Sequence, residues 1–314
     1  MSSQSANSII SVIITCFNHG RFLSKAIDSL LSQTFRAVEI IVVDDGSTDN
    51  TKEVVGSYPS VRYVFQSNAG VSAARNAGID HSCGDYILFL DADDWLLENG
   101  LFANYQLLSN NQEAAFVSGA YKVLKVTTGE IIEVTTEVME NHFLRLLEFN
   151  YISMIATVLF RRKVLDEFRF DTSLKACEDY DLYLRIARKY PVLHHTEFIA
   201  LYYFHEQNMS YDTLKMMNFA IEVVKRQEPY LTNYEERKSF KKGIKDWRYY
   251  YSKVIYGKYL QPAQKNNVNK KKEMQALWIN SKSLYFRFFV KKVFNVIQSF
   301  RKKSYSWFSI KGFA

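Results

Sequence analysis

Residues 91–94 read Asp-Ala-Asp-Asp, straight after the apolar run Tyr86-Ile87-Leu88-Phe89-Leu90. Like charges so close repel one another, and none is buried cheaply without a counter-charge. Two aspartates at i and i+2 beyond a strand end supply part of the oxygen shell that Mg2+ or Mn2+ takes, with water and a diphosphate to complete it. A divalent cation would therefore relieve the repulsion. A helix–loop–helix calcium loop is excluded, because counting from Asp91 its positions 5, 6 and 12 are Trp95, Leu96 and Phe102. The competing reading is that Asp93 or Asp94 caps a helix beginning at Trp95. A second acidic group, Glu178-Asp179-Tyr180-Asp181, precedes Leu182, Ile186 and Ala187 at helical spacing. Alone it reads as a helix start enriched in acids that suit the dipole. Asp44-Asp45-Gly46-Ser47 reads as a polar strand end or as turn and cap residues.

The elements that position these groups follow from periodicity. Ser8–Thr15, Val38–Val43, Val61–Phe65 and Tyr86–Leu90 are apolar, largely β-branched or aromatic runs that predict buried strands. Between them, residues 21–33, 49–56 and 71–80 predict helices. Strands alternating with helices imply parallel pairing in an α/β sandwich. Ligands of such sheets bind at the carboxyl ends of the strands. Thr15–Asn18, Asp44–Ser47 and Asp91–Asp94 all lie there. Further along, residues 115–123 predict a strand, and 142–149, 178–189, 218–226 and 236–259 predict helices. The lysine-rich stretch 265–273 is the best boundary.

The chain has 314 residues, 47% of them hydrophobic, enough for a sizeable core. Three scattered cysteines (Cys16, Cys83 and Cys177) argue for a reducing compartment and against a disulfide framework. The first residues lack the basic and apolar regions of a signal peptide, and no apolar run reaches the length of a membrane span. The net charge is +7, yet residues 274–314 hold eight Lys/Arg and no Asp/Glu, leaving about −1 for the rest. The basic character is thus C-terminal, and no nucleic-acid partner is expected.

In order, SVIITCFNHGRFLSKAIDSLLSQTF, EIIVVDDGSTDNT, NAGVSAARNAGI, GDYILFLDADDW, VLFRRKVLDEFRFD and EDYDLYLRIA resemble family 2 of the inverting glycosyltransferases. The resemblance covers residues 8–210 and ends weakly at YYFHEQNMS. It implies the GT-A fold, a mostly parallel Rossmann-like sheet between helices, here with a helical C-terminal extension. It also implies transfer from a nucleotide-diphosphate sugar, usually a UDP-sugar, to a hydroxyl of a glycan or lipid-linked glycan. Thr15, Phe17 and Asn18 then meet the nucleotide, Phe17 where many relatives have tyrosine; its alternative is a core aromatic. Asp45 matches the aspartate that accepts uracil N3–H, Arg75 a basic residue near the diphosphate, and Ala92 a donor contact. For Arg75 a solvated helix charge is the alternative. Asp91 and Asp93 match the metal-binding pair, for Mn2+ or Mg2+, with His205 a third ligand or a structural histidine. Tyr203 and Asn208 stand where relatives carry arginine and serine. Asp179 matches the base, and Glu178 contacts acceptor or orients its loop.

Asn280–Lys303 gathers Phe286, Phe289, Val290, Val293, Val296, Ile297 and Phe300 on one side and basic or polar residues on the other. A basic amphipathic helix suits an anionic membrane surface, with Trp278, Trp307 and Phe308 at the interface; packing on the protein is the alternative. The expected organisation is a catalytic domain over 1–214, a helical extension over 215–272 and a basic tail over 273–314. The protein is expected in the cytoplasm, peripheral on the inner face of the membrane and serving polysaccharide biosynthesis. A polyprenyl-phosphate glycosyl synthase and a non-catalytic nucleotide-sugar-binding scaffold are the competing functions.

Overall fold

The structure, a computed structural model, describes residues 9–205, 208–260 and 270–291. Four parallel strands, β1 (Ile10–Cys16), β2 (Val38–Asp44), β3 (Val61–Phe65) and β4 (Tyr86–Asp91), form its first half. Their helical crossovers are α1 (Gly20–Leu31), α2 (Thr51–Gly56) and α3 (Val71–His81). All four strands and all three helices lie where hydrophobic periodicity predicts. Along β1, Ile13 enters one hydrophobic cluster while Ile10, Val12 and Ile14 enter another. In β4 the split is Ile87 and Phe89 against Tyr86, Leu88 and Leu90. Successive side chains point to opposite faces, so a continuous apolar run marks a strand covered on both.

Beyond β4 the sheet becomes mixed, in the order β3-β2-β1-β4-β8-β6-β9-β5, with β7 paired on β6. The added strands are β5 (Trp95–Leu96), β6 (Phe116–Lys125), β7 (Ile131–Val134), β8 (Val158–Arg161) and β9 (Leu193–Phe204). β8 runs antiparallel to both β4 and β6. β6 therefore runs in the direction of β4, and β9 is parallel to β6. β4 and β6 thus send their carboxyl ends to the same edge of the sheet.

The helices α4 (Gly100–Ser109), α5 (His142–Glu148), α6 (Arg162–Glu167), α7 (Glu178–Lys189), α8 (Thr213–Lys225) and α9 (Tyr234–Leu260) complete the layers. One face is covered by α1, α2 and α4, the other by α3 and α5–α9. Ala220, Val223 and Val224 of α8 and Phe240 and Trp247 of α9 join Leu182, Leu184 and Ile186 of α7 in one cluster. The helices expected as an extension thus share the core of the sheet.

The C-terminal helices make a small separate cluster. α10 (Lys270–Asn280) and the helix over 282–291 pack Leu277 and Leu284 against Ile255 of α9. Glu273, at the end of the lysine-rich stretch, is buried and bonded to Lys258 and Tyr259, so residues 270–273 are helix; 265–269 lie outside the described residues. Val293, Val296, Ile297, Phe300, Trp307 and Phe308 also lie outside them.

Candidate active site

The site forms where β1, β2 and β4 end. Cys16 O accepts from Asp45 N at 2.9 Å, and Thr15 O from Ala92 N at 3.2 Å. The three polar strand ends are thereby bound to one another. Asn18 strengthens the junction: its N–H donates to Ser47 Oγ at 2.9 Å, and its Oδ1 accepts from Thr48 N at 2.8 Å. Asn18 has φ +55°, a conformation that asparagine tolerates better than most residues. Gly46, at φ +84°, lets this turn meet the next: a Cβ there would lie 2.8 Å from Asn68 N.

Phe17 is 48% exposed at this edge, which removes the core-aromatic alternative and leaves a ring open for stacking. Asp44 is buried and accepts from Ser47 N at 2.7 Å and Tyr63 OH at 2.7 Å. Asp45 accepts from Gln66 Nε2 at 2.7 Å, Ala69 N at 2.8 Å and Gly70 N at 2.9 Å. Its Oδ2 carries only the last of these, so a lone pair remains for a ligand N–H. Ala92 is buried and its N–H is engaged, so its carbonyl is its remaining polar contact.

Asp91, Asp93 and Asp94 diverge in environment. The strand β5, not a helix, begins at Trp95, so the capping alternative fails. Asp94 is buried and accepts from Tyr203 N at 2.9 Å, tying the end of β9 to this loop. Burial, with Asp93 and Asp91 nearby, pushes its carboxyl well above the usual range. Asp93 is also raised, by burial first and then by Asp91. His205 Nε2 lies 3.1 Å from Asp93 Oδ2, and Asn208 Nδ2 donates to the same oxygen at 3.2 Å.

The two departures from the family pattern acquire a physical account here. Tyr203 packs on Trp95 and Phe22, and Phe22 stacks on His205 with ring centroids 5.3 Å apart. Aromatic packing thus orients the imidazole. Asn208 Oδ1 accepts from His205 N at 2.5 Å while its amide reaches Asp93. His19, given no role by the sequence, stands 3.9 Å from Asp93 Oδ2, its ring edge-on to Phe22 and to His205.

These donors suit a hard divalent cation: two carboxylates in a crowded, desolvated loop, with an imidazole beside one of them. Among the described residues no group of three His, Cys, Asp or Glu is placed so that it could hold a metal ion. A cation here would need further oxygens, from phosphate or water.

Arg75 joins the two acidic motifs. Its Nη2 donates to Asp91 Oδ1 at 2.9 Å and its Nη1 to Glu178 Oε1 at 2.5 Å, across 103 residues of sequence. Its guanidinium is buried and lies over the Phe170 ring. It is no solvated helix charge. Its Nε has no hydrogen-bond partner among the described residues.

In the second motif, Asp181 is buried and paired with Arg185 at 2.7 Å and Arg226 at 3.8 Å, so its charge is neutralised within the fold. Glu178 is held by Arg75. Asp179 makes no ion pair among the described residues and accepts only from Tyr180 N, at 2.7 Å. Burial and the neighbouring Glu178 push it up to about 7, with Arg75 opposing them. Cys177, immediately before the motif, has φ +58°, a strained state for a non-glycine residue. The helix-start reading also holds, since α7 begins at Glu178.

A mixed sheet with a parallel βα half and an acidic loop at the end of β4 is the GT-A arrangement. The profile of glycosyl transferase family 2 matches residues 11–168, and the chain belongs to that family. An uncharacterized glycosyltransferase of Haemophilus influenzae is 33% identical over 181 residues, 56% of this chain and 70% of that protein. Three other curated glycosyltransferases match over 116, 89 and 90 residues, and this chain covers 17%, 26% and 28% of their length. Among solved structures, Staphylococcus aureus TarS 1–349 in complex with UDP-GlcNAc superposes with a TM-score of 0.65 at 16% identity, over 89% of this chain and 82% of that one. The mannosyltransferase PcManGT from Pyrobaculum calidifontis, in complex with GDP-Man and Mn2+, gives 0.58 at 14% identity, over 93% and 88%. At these identities the likeness concerns the fold.

Proposed function

We propose that this glycosyltransferase moves a sugar, with inversion, from a nucleotide-diphosphate sugar, a UDP-sugar in the first instance, to a hydroxyl of a glycan or lipid-linked glycan. The observation that carries the reading is the convergence of Asp91, Asp93 and Asp179 on one edge of the sheet, with Arg75 bridging Asp91 to the residue before Asp179. The structural neighbours bound to UDP-GlcNAc and to GDP-Man with Mn2+ support it.

Thr15, Phe17, Asn18 and Asp45 receive the nucleotide: Phe17 stacks on the base, and Asp45 Oδ2 accepts its N–H. Asp91, Asp93 and His205 would hold a Mn2+ or Mg2+ ion. When bound, it would supply Lewis-acid stabilisation of negative charge on the leaving group. Arg75 holds Asp91 in place and fixes Glu178. Asp179 then takes the proton of the attacking hydroxyl, from the face opposite the leaving group. Because the acceptor itself attacks, no protein nucleophile is required.

The same reading includes the membrane. On α10 and the helix over 282–291, Trp278, Ile279, Phe286, Phe289 and Val290 are exposed beside Lys282, Arg287 and Lys291. Such a face suits an anionic surface, which supports a reading of the enzyme as peripheral on the cytoplasmic side of the membrane, acting on lipid-linked acceptors. No helix among the described residues is long and apolar enough to cross a membrane. The catalytic region over 1–214, the helices to 272 and the basic tail from 273 are the corresponding functional segments.

The test is turnover of a panel of UDP- and GDP-sugars with Mn2+ or Mg2+, with and without EDTA, by the wild type and by Asp93→Asn. The expected result is metal-dependent turnover of one donor, sharply reduced in the variant. Activity undiminished by EDTA would overturn the metal assignment, and inertness toward every donor would overturn the donor class.

A further inference from the structure

Asp179 is loosely held for a base. Its Oδ1 accepts from Tyr180 N, and its Oδ2 accepts nothing among the described residues. A carboxylate free to swing would be poorly aimed at an acceptor hydroxyl. The helix that carries Asp179 also carries a group placed to steady it.

Tyr183 stands four residues after Asp179 in α7. Positions i and i+4 lie one above the other on the same face of a helix. Long helical side chains lean toward the N-terminus, onto the preceding turn. The Tyr183 side chain therefore reaches back toward the turn of Asp179. Its ring is fully buried, with its centroid 5.7 Å from Phe116 and 6.2 Å from Phe160. Those two residues are opposite one another on β6 and β8, and Phe160 is opposite Ile87 of β4. Phe89, two residues nearer the carboxyl end of β4, packs edge-on against Phe160 and Phe170, at 5.9 and 5.0 Å. Arg75 lies over the Phe170 ring at 5.4 Å. The aromatic floor thus runs from Tyr183 to the guanidinium that bridges Asp91 and Glu178. Of these five rings only Tyr183 carries a hydroxyl.

That hydroxyl is buried and has no hydrogen-bond partner among the described residues. An unpaired buried hydroxyl is costly, and phenylalanine would fill the same space without the cost. Tyr180, the other fully buried tyrosine of α7, is satisfied: its OH donates to Leu146 O and accepts from Trp247 Nε1 at 3.4 Å. The charges that act on Tyr183 are those of the site, Asp179 first, then Arg75, Glu178 and Asp91. Burial and Asp179 hold the phenol well above its usual range, so it keeps its proton and remains a donor.

We propose that Tyr183 is the positioning residue of the base, its hydroxyl donating to Asp179 Oδ2 when the carboxylate is ionised. An ionised oxygen has two lone-pair sites, so Oδ2 takes this bond and still receives the acceptor proton. A hydrogen bond to the ionised form favours it, against the burial and the Glu178 charge that raise Asp179. Arg75 acts in the same sense as the bond, and Asp91 against it. Burial and Asp179 push the Cys177 thiol up, so it adds no charge, and Asp181 is neutralised by Arg185 and Arg226. This inference rests on the reading of Asp179 as the base and adds to it what aims the carboxylate.

The test is Tyr183→Phe in the full chain, which keeps the ring and removes only the hydroxyl. Asp179 is read directly by 13C NMR of the side-chain carboxyls in aspartate-labelled protein, its signal assigned by its loss in Asp179→Asn. Asp179 should titrate about one pH unit higher in Tyr183→Phe, the effect of losing one hydrogen bond to a charged group. The acid limb of transfer should move up equally, so that the rate at pH 6 falls about ten-fold, with the donor KM unchanged. A titration that is the same in both proteins overturns the proposal and leaves Tyr183 a core residue. A shifted titration with an unmoved acid limb upholds the hydrogen bond but overturns Asp179 as the base. A wild type inactive on every nucleotide sugar overturns the transferase reading, while the NMR titration still decides the bond.

Discussion

Asp179→Asn tests the chemistry most sharply, because the structure separates this carboxylate from its neighbours. Glu178 and Asp181 are each paired with arginine, whereas Asp179 is not. The amide is nearly isosteric and keeps an oxygen for Tyr180 N–H, so the fold should persist. It cannot take a proton at neutral pH. Loss of a general base costs at least ~10²-fold in transfer. The wild-type pH profile supplies an independent check. A base must be ionised to act, and Asp179 is raised to about 7 by burial and Glu178. Transfer should therefore fall as pH drops below about 7, roughly ten-fold per unit, and level off above about 8. The same shift acts on stability with the opposite sense. Above the ordinary carboxylate range the unfolded chain releases this proton before the folded one does, so Asp179's contribution to stability declines as pH rises toward 7. The assay is transfer rate at saturating donor from pH 5 to 9, for the wild type and Asp179→Asn. A variant with normal turnover, or a wild-type acid limb unchanged by removing Asp179, would refute the reasoning.

Arg75→Met leaves Glu178 buried without its partner and should destabilise the fold by about 3 kcal/mol, the low end for a broken buried pair because the Asp91 side chain is 38% exposed; chemical denaturation measures it, and an unchanged midpoint would dismiss the bridge. Gly243→Ala places a Cβ 1.9 Å from Leu147 O, where α9 crosses α5, so about 1–3 kcal/mol should be lost by the same assay, and no loss would show that the two helices part freely. A chain ending at Leu260 should remain folded, because Ile255, Leu277 and Leu284 form a cluster apart from the main ones; insolubility would make the C-terminal helices part of the core. Full-length protein should bind anionic liposomes with an affinity that salt weakens, and the shortened chain should not, whereas equal binding would place the membrane surface elsewhere.

The parallel half of the sheet was legible because Val12–Ile14, Ile40–Val43 and Ile87–Leu90 are buried on both faces, which leaves unbroken apolar runs. β8 is only four residues long, and the first half of β9 runs through His194, His195, Thr196 and Glu197, so neither carries that signal. The acidic motifs were legible as composition and spacing. Their connection was not: Arg75 meets Glu178 from 103 residues away, and its own helix reads as an ordinary alanine-rich one. The role of Asn208 was visible only as a departure from the family's serine, although an asparagine three residues after a histidine has the reach to bond that residue's N–H.

The central claim is that an acceptor hydroxyl, deprotonated by Asp179, displaces the diphosphate held at Asp91 and Asp93 from the opposite face. The measurement that tests it most directly is the anomeric configuration of the first-formed product, read by the H1–H2 coupling in proton NMR during transfer from an α-linked UDP-sugar. The account predicts a β-linked product. An α-linked product would contradict it, because retention requires a different chemistry from the one that these carboxylates are placed to perform.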